Sequence, residues 1–88
     1  MSESFKIKFA FDPEIVLTLA DATSGVKLIL GDLTEAGINY QLKEVALDRG
    51  VIDVTLLVGK DDFGIAQTII SNSVRTSYPQ TKLVLFAR

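Results

Sequence analysis

The chain has 88 residues, 48% of them hydrophobic, with nine basic and eleven acidic side chains, a net charge of -2, and neither cysteine nor histidine. That length suits one domain, residues 1–88; the missing residue types exclude disulfides, thiolate nucleophiles, cysteine-held metals, and the usual general base and metal ligand of neutral pH. Charges are interspersed without the basic stripe of a nucleic-acid binder, and no apolar run approaches the ~20 residues of a membrane span, so a soluble cytoplasmic non-enzyme without cofactor or metal is expected.

The first element is SFKIKFAF, in which Phe5, Ile7, Phe9 and Phe11 alternate with Lys6, Lys8 and Ala10. A period of two is that of a strand with one face in the core and one in water. Three phenylalanines would also suit a base-stacking platform. However, the later strand VIDVTLLV lacks the glycine and aromatic pattern of RNA-binding sheets, which favours core packing.

Next, FDPEIV reads as a helix start. Asp12 suits the cap, Pro13 the first helical position and Glu14 the positive end of the dipole, with Phe11 and Val16 placed as a hydrophobic staple. Ile15, Leu19, Ala22, Val26, Ile29, Leu33 and Ala36 then recur in steps of four and three, predicting one helix over 13–36. Thr23, Ser24 and Gly25 are its weak point. They either kink the helix or divide it, and in the rival parse Ile15 to Ala20 is a strand and Ser24 caps a shorter helix ending at Ala36.

Gly37 closes that helix. Ile38, Tyr40 and Leu42 then alternate with Asn39, Gln41 and Lys43, and Ile52, Val54, Leu56 and Val58 alternate with Asp53 and Thr55. With Asp48, Arg49 and Gly50 as the turn, this is a β-hairpin. Asp61 and Asp62 read as cap and dipole partners of a second helix, rather than as a metal site. Phe63, Ala66, Ile70 and Val74 lie on one face of it, Tyr78 and Pro79 stop it, and TKLVLFAR is a final strand. The order predicts an α+β, ferredoxin-like βαββαβ domain. Its four-stranded antiparallel sheet would carry both helices on one face, with the first and third strands in the middle.

The stretch LTEAGINYQ, a turn, and RGVIDVTLLVGKDD, together residues 33–62, resembles the ACT domain family. Members end their first helix in a leucine-rich turn followed by Gly-Ile-Asn and then a hairpin. The resemblance implies a regulatory module that pairs side by side as a homodimer and binds an amino acid or similar small ligand at the interface. Gly37, Ile38 and Asn39 would lie near that ligand, with the Asn39 amide bonding its polar head group. The family also carries an aspartate and a proline-glycine pair in the loop after the first strand; here Asp12 and Pro13 stand there, followed by Glu14.

A second expectation concerns the other sheet face. On a central strand Asp53, Thr55 and Leu57 would point away from the helices, with Lys6 and Lys8 available for a cross-strand ion pair. The same face, with Ala10, Val84 and Phe86, is alternatively a contact surface for a second copy or a larger protein partner. The first expectation predicts stabilisation by a small ligand, and the second predicts association without one.

Overall fold

The computed structural model describes residues 4–13 and 18–78, together with the backbone of 82–87. In chain order the elements are β1 (Ser4–Asp12), α1 (Leu19–Glu35), β2 (Tyr40–Asp48), β3 (Val51–Gly59), a 3-10 turn over Lys60–Asp62, α2 (Phe63–Ser77) and β4 (Lys82–Ala87). Alternation decides what each central strand buries. Ile7, Phe9 and Phe11 of β1 are buried and Lys6 and Lys8 are exposed, while β3 buries Ile52, Val54, Leu56 and Val58. These side chains form one core with Val26, Ile29, Leu30 and Leu33 of α1 and Ala66, Ile70 and Val74 of α2. Burying each large apolar side chain contributes ~1.5–3 kcal/mol, which makes this core the main support of the fold. Phe9 and Phe11 belong to it, and Phe5 is half-buried with its ring edge-on to Phe63 at 5.2 Å. The phenylalanines of β1 therefore pack; they are not a stacking platform.

β1 runs antiparallel to β3, from Ser4 opposite Gly59 to Phe11 opposite Ile52. β2 pairs antiparallel with the other side of β3. The backbone of β4 pairs with β1, Asp12 opposite Lys82 and Ile7 opposite Ala87, in the order β2-β3-β1-β4. Two helices against an antiparallel sheet agree with the expected α+β class.

β2 departs from simple alternation. Its register on β3 shifts between Leu42 and Glu44, a bulge at Lys43. Tyr40 and Leu42 pair with Val58 and Leu56 before it, and Val45 and Leu47 pair with Val54 and Ile52 after it. The extra residue changes the phase, so the inward side chains move from even to odd positions. The turn to β3 is shorter than expected, since Asp48 is still strand. Arg49 and Gly50 have φ of 54° and 81°, the pair of positive values that marks a type I′ turn.

The first helix begins later than its sequence signals suggest. Asp12 is the last residue of β1 and not the cap of α1, and the ring of the following Pro13 disfavours helical geometry in the residue before it. Thr18 is the cap instead: its Oγ1 accepts a hydrogen bond from the Asp21 amide at 3.1 Å. Glu14, Ile15 and Val16 lie outside the described residues, so the staple does too. The rival parse also gives way, with Leu19 and Ala20 helical and Ser24 inside α1. No break occurs at Thr23-Ser24-Gly25; the Thr23 hydroxyl bonds back to the Leu19 carbonyl at 2.9 Å. The apolar face includes Leu30, which the four-and-three spacing passes over, and excludes Leu19 and Ala36, both exposed.

At its other end α1 closes with a Schellman motif. The Ile38 amide donates to the Leu33 carbonyl at 2.9 Å and the Gly37 amide to the Thr34 carbonyl at 3.0 Å, with Gly37 at φ 79°. For α2, Asp62 stands at the capping position but makes no side-chain cap bond; the turn over Lys60–Asp62 leads into the helix instead.

Candidate functional site

The sheet ends in a concavity of about 650 Å³ where β2 begins, β3 ends and the turn before α2 follows. Asn39, Tyr40 and Gln41 line it from β2 and the residue before it. Lys60, Asp61 and Asp62 line it from the turn, and Ser4 from the start of β1. Antiparallel pairing makes the site, since Tyr40 stands opposite Val58 and Ser4 opposite Gly59. Both charge signs meet there: a lysine ammonium, two carboxylates and a neutral amide within one hollow.

The residues singled out for a ligand fare differently. Asn39 is exposed and lines the concavity. Ile38 is only 5% exposed and belongs to the core, so its side chain is not free to meet a ligand. Gly37 is exposed and is accounted for by the helix terminus, where a side chain would be strained at positive φ. Asp12 is not brought to the others. It lies seven residues along β1 from Phe5, whose row contains Val58 and Tyr40, which is roughly 23 Å at ~3.3 Å per residue. Within one chain, Asp12 and Asn39 occupy opposite ends of the sheet.

Tyr40, Lys60 and Ser4 were not singled out from the sequence. A signal for Lys60 exists in the polar run Lys60, Asp61, Asp62 directly after the apolar strand β3. The places of Tyr40 and Ser4 depend on strand register, which no local pattern displays.

On the open face of the sheet, Ala10 and Thr55 are half-buried and Asp53 is exposed. Asp53 stands opposite Ala10 on one side and Ala46 on the other, so no lysine is directly across from it; Lys8 faces Thr55, one row along. Val84 pairs by backbone with Ala10 and Phe86 with Lys8. The side chains of Val84 and Phe86 lie outside the description. A second hollow of about 560 Å³ sits on this face, lined by Lys8, Glu44, Ala46, Asp53 and Thr55 among others.

Among the described residues no three acidic side chains stand close enough to hold a metal ion. Nor, among them, is any helix long and apolar enough to cross a membrane.

No family model and no curated protein matches the chain. Solved structures do. The de novo designed protein Foldit4 is similar at a TM-score of 0.65 and 11% identity, over 98% of this chain and 97% of that one. The de novo designed protein Ferredog-Diesel is similar at 0.57 and 11% identity, over 98% and 86%. The de novo designed protein LFR1 1 with ferredoxin fold gives 0.58 and 14%, over 97% and 84%. At such identities the likeness concerns backbone architecture alone. The chain has an α+β fold with ferredoxin-like neighbours.

Proposed function

We propose that the chain is a small, non-catalytic regulatory module of the ACT type, which binds an amino acid or similar small ligand at the Asn39 end of its sheet. One observation carries this: the concavity there gathers an ammonium group, carboxylates and an amide, a set matched to a ligand bearing both charge signs. Lys60 suits a ligand carboxylate, Asp61 or Asp62 a ligand ammonium, and the Asn39 amide either one. The scaffold is taken as the four-stranded ferredoxin-like sheet expected from the sequence, and the backbone register of β4 on β1 supports it. Joining Asp12 to this site, as the ACT resemblance implies, requires a second copy, because one chain holds the two regions at opposite ends.

The test is a thermal-melt screen of the purified protein against the twenty amino acids and common small metabolites. A ligand at about one hundred times its Kd stabilises the native state by about 2.7 kcal/mol, several degrees for a domain of this size. The expected result is such a rise with one ligand, lost in Asn39→Ala and Lys60→Ala. A flat screen, or a rise that both variants retain, overturns the proposal.

A further inference from the structure

On the face of the sheet that no helix covers, the lysines of β1 and the aspartates of β2 and β3 lie toward opposite ends of the strands. Lys6 and Lys8 of β1 lie toward the Ser4 end, while Asp53 and Asp48 lie toward the opposite end, all four exposed. Small side chains share the two middle rows: Ala10 and Ala46 flank Asp53 in one, and Thr55 stands between Lys8 and Glu44 in the next. The hollow over Ala46 and Thr55 opens at this midpoint, with Lys8, Glu44 and Asp53 on its border.

We propose that this face is a self-association surface, on which two copies of the chain meet face to face about a two-fold axis running across the strands. That operation reverses strand direction. It lays the lysine end of one copy over the aspartate end of the other and places Lys8 of each beside Asp53 of its mate. A surface with its two charge signs at opposite ends is its own complement under such an axis, which is the requirement of an isologous contact. The small central residues leave room for each Lys8 side chain to cross the ~10 Å between packed sheets. Glu44 shares the Lys8 row from the edge strand β2 and borders the same hollow, so in this arrangement its side chain turns outward past the sheet edge, away from Asp53 of the mate.

Edge pairing is the competing route to a dimer. On β2 it is hampered, because the bulge and the charge at Lys43 interrupt the row of outward backbone groups. Strand spacing and rise give the open face roughly 20 by 25 Å, hence ~1,000 Å² buried between two copies, the lower limit of a specific interface. A reversible dimer follows, weakened by salt.

The experiment is sedimentation equilibrium of the full chain over a wide range of concentration, with Lys8→Glu and Asp53→Lys made separately. Both positions are exposed, so circular dichroism and melting temperature should match the parent. Each single variant is expected to weaken association by at least about tenfold, and an equimolar mixture to recover it, since the altered charges then match. The proposal is overturned if the parent stays monomeric at the highest concentration, which would leave the face to a different partner. It is equally overturned if both variants associate like the parent, or if the mixture recovers nothing.

Discussion

The buried Ser73 hydroxyl on α2 donates a hydrogen bond to the Asp32 carboxylate on α1, tying the two helices together across their contact. Its two ends differ in exposure: Ser73 is 5% exposed, and Asp32 lies at the surface. Removing either partner therefore has unequal consequences. Ser73→Ala leaves a carboxylate that water can solvate, and is expected to cost ~1 kcal/mol. Asp32→Ala leaves a hydroxyl without its acceptor in a dry contact and is expected to cost more, ~2 kcal/mol. Urea denaturation of the two variants checks the order, and a larger loss in Ser73→Ala would refute it.

Gly25 and Tyr78 form a second link between the helices. A Cβ at position 25 would stand 2.6 Å from the Tyr78 hydroxyl, and the Tyr78 ring is held against Phe11 at 5.3 Å between centroids. Gly25→Ala should therefore fail to yield the ~1 kcal/mol that replacing a helical glycine by alanine ordinarily brings. In a Tyr78→Phe background the nearest remaining ring atom is at 3.8 Å, an ordinary contact, and the gain should appear. Gly31→Ala is the control. Nothing lies within 4 Å of that Cβ, so it should stabilise the parent by ~1 kcal/mol. Melting temperatures of the parent and the four variants, Tyr78→Phe alone included, settle the matter.

Arg49 holds a positive φ of 54° in a turn whose geometry prefers asparagine. Relief of part of the ~1–2 kcal/mol that left-handed geometry costs an ordinary residue should make Arg49→Asn more stable than the parent. A lower denaturation midpoint in the variant would contradict this.

Ile38 and Asn39 are neighbours with separate tasks. Ile38→Ala should cost ~2–5 kcal/mol, the range for truncating a core isoleucine. Asn39→Ala should change stability without ligand by less than ~0.5 kcal/mol, and show itself only when a ligand is present. Chemical denaturation with and without the ligand separates them.

The strands β1 and β3 are legible in the sequence because each keeps one alternation from end to end and buries a single face. The end of α1 is legible too, in Gly37. Its beginning is not: Asp-Pro-Glu carries every feature of a helix start, yet Pro13 acts backward on Asp12 and prolongs the strand, and the quieter Thr18 does the capping. The site was legible only in Asn39. Its companions Tyr40, Lys60 and Ser4 come together through pairing between strands distant in sequence, and Ile38 was drawn inward by the same glycine turn that had suggested a ligand.

The bulge at Lys43 makes β2 one residue longer than its pairing with β3 requires. The inward residues before it are spaced by two, those after it are spaced by two, and Leu42 and Val45 are spaced by three. Deleting Lys43 would restore an unbroken alternation and leave Leu42, Glu44 and Val45 opposite Leu56, Thr55 and Val54, with both halves of the strand still facing the same way. Few substitutions at Lys43 should matter, since the side chain is exposed, and its deletion should leave unfolding cooperative, whereas deleting Ala46 would put Val45 and Leu47 on opposite faces and should destabilise the fold. At Lys43 the strand carries a letter it can spare, and at Ala46 it does not.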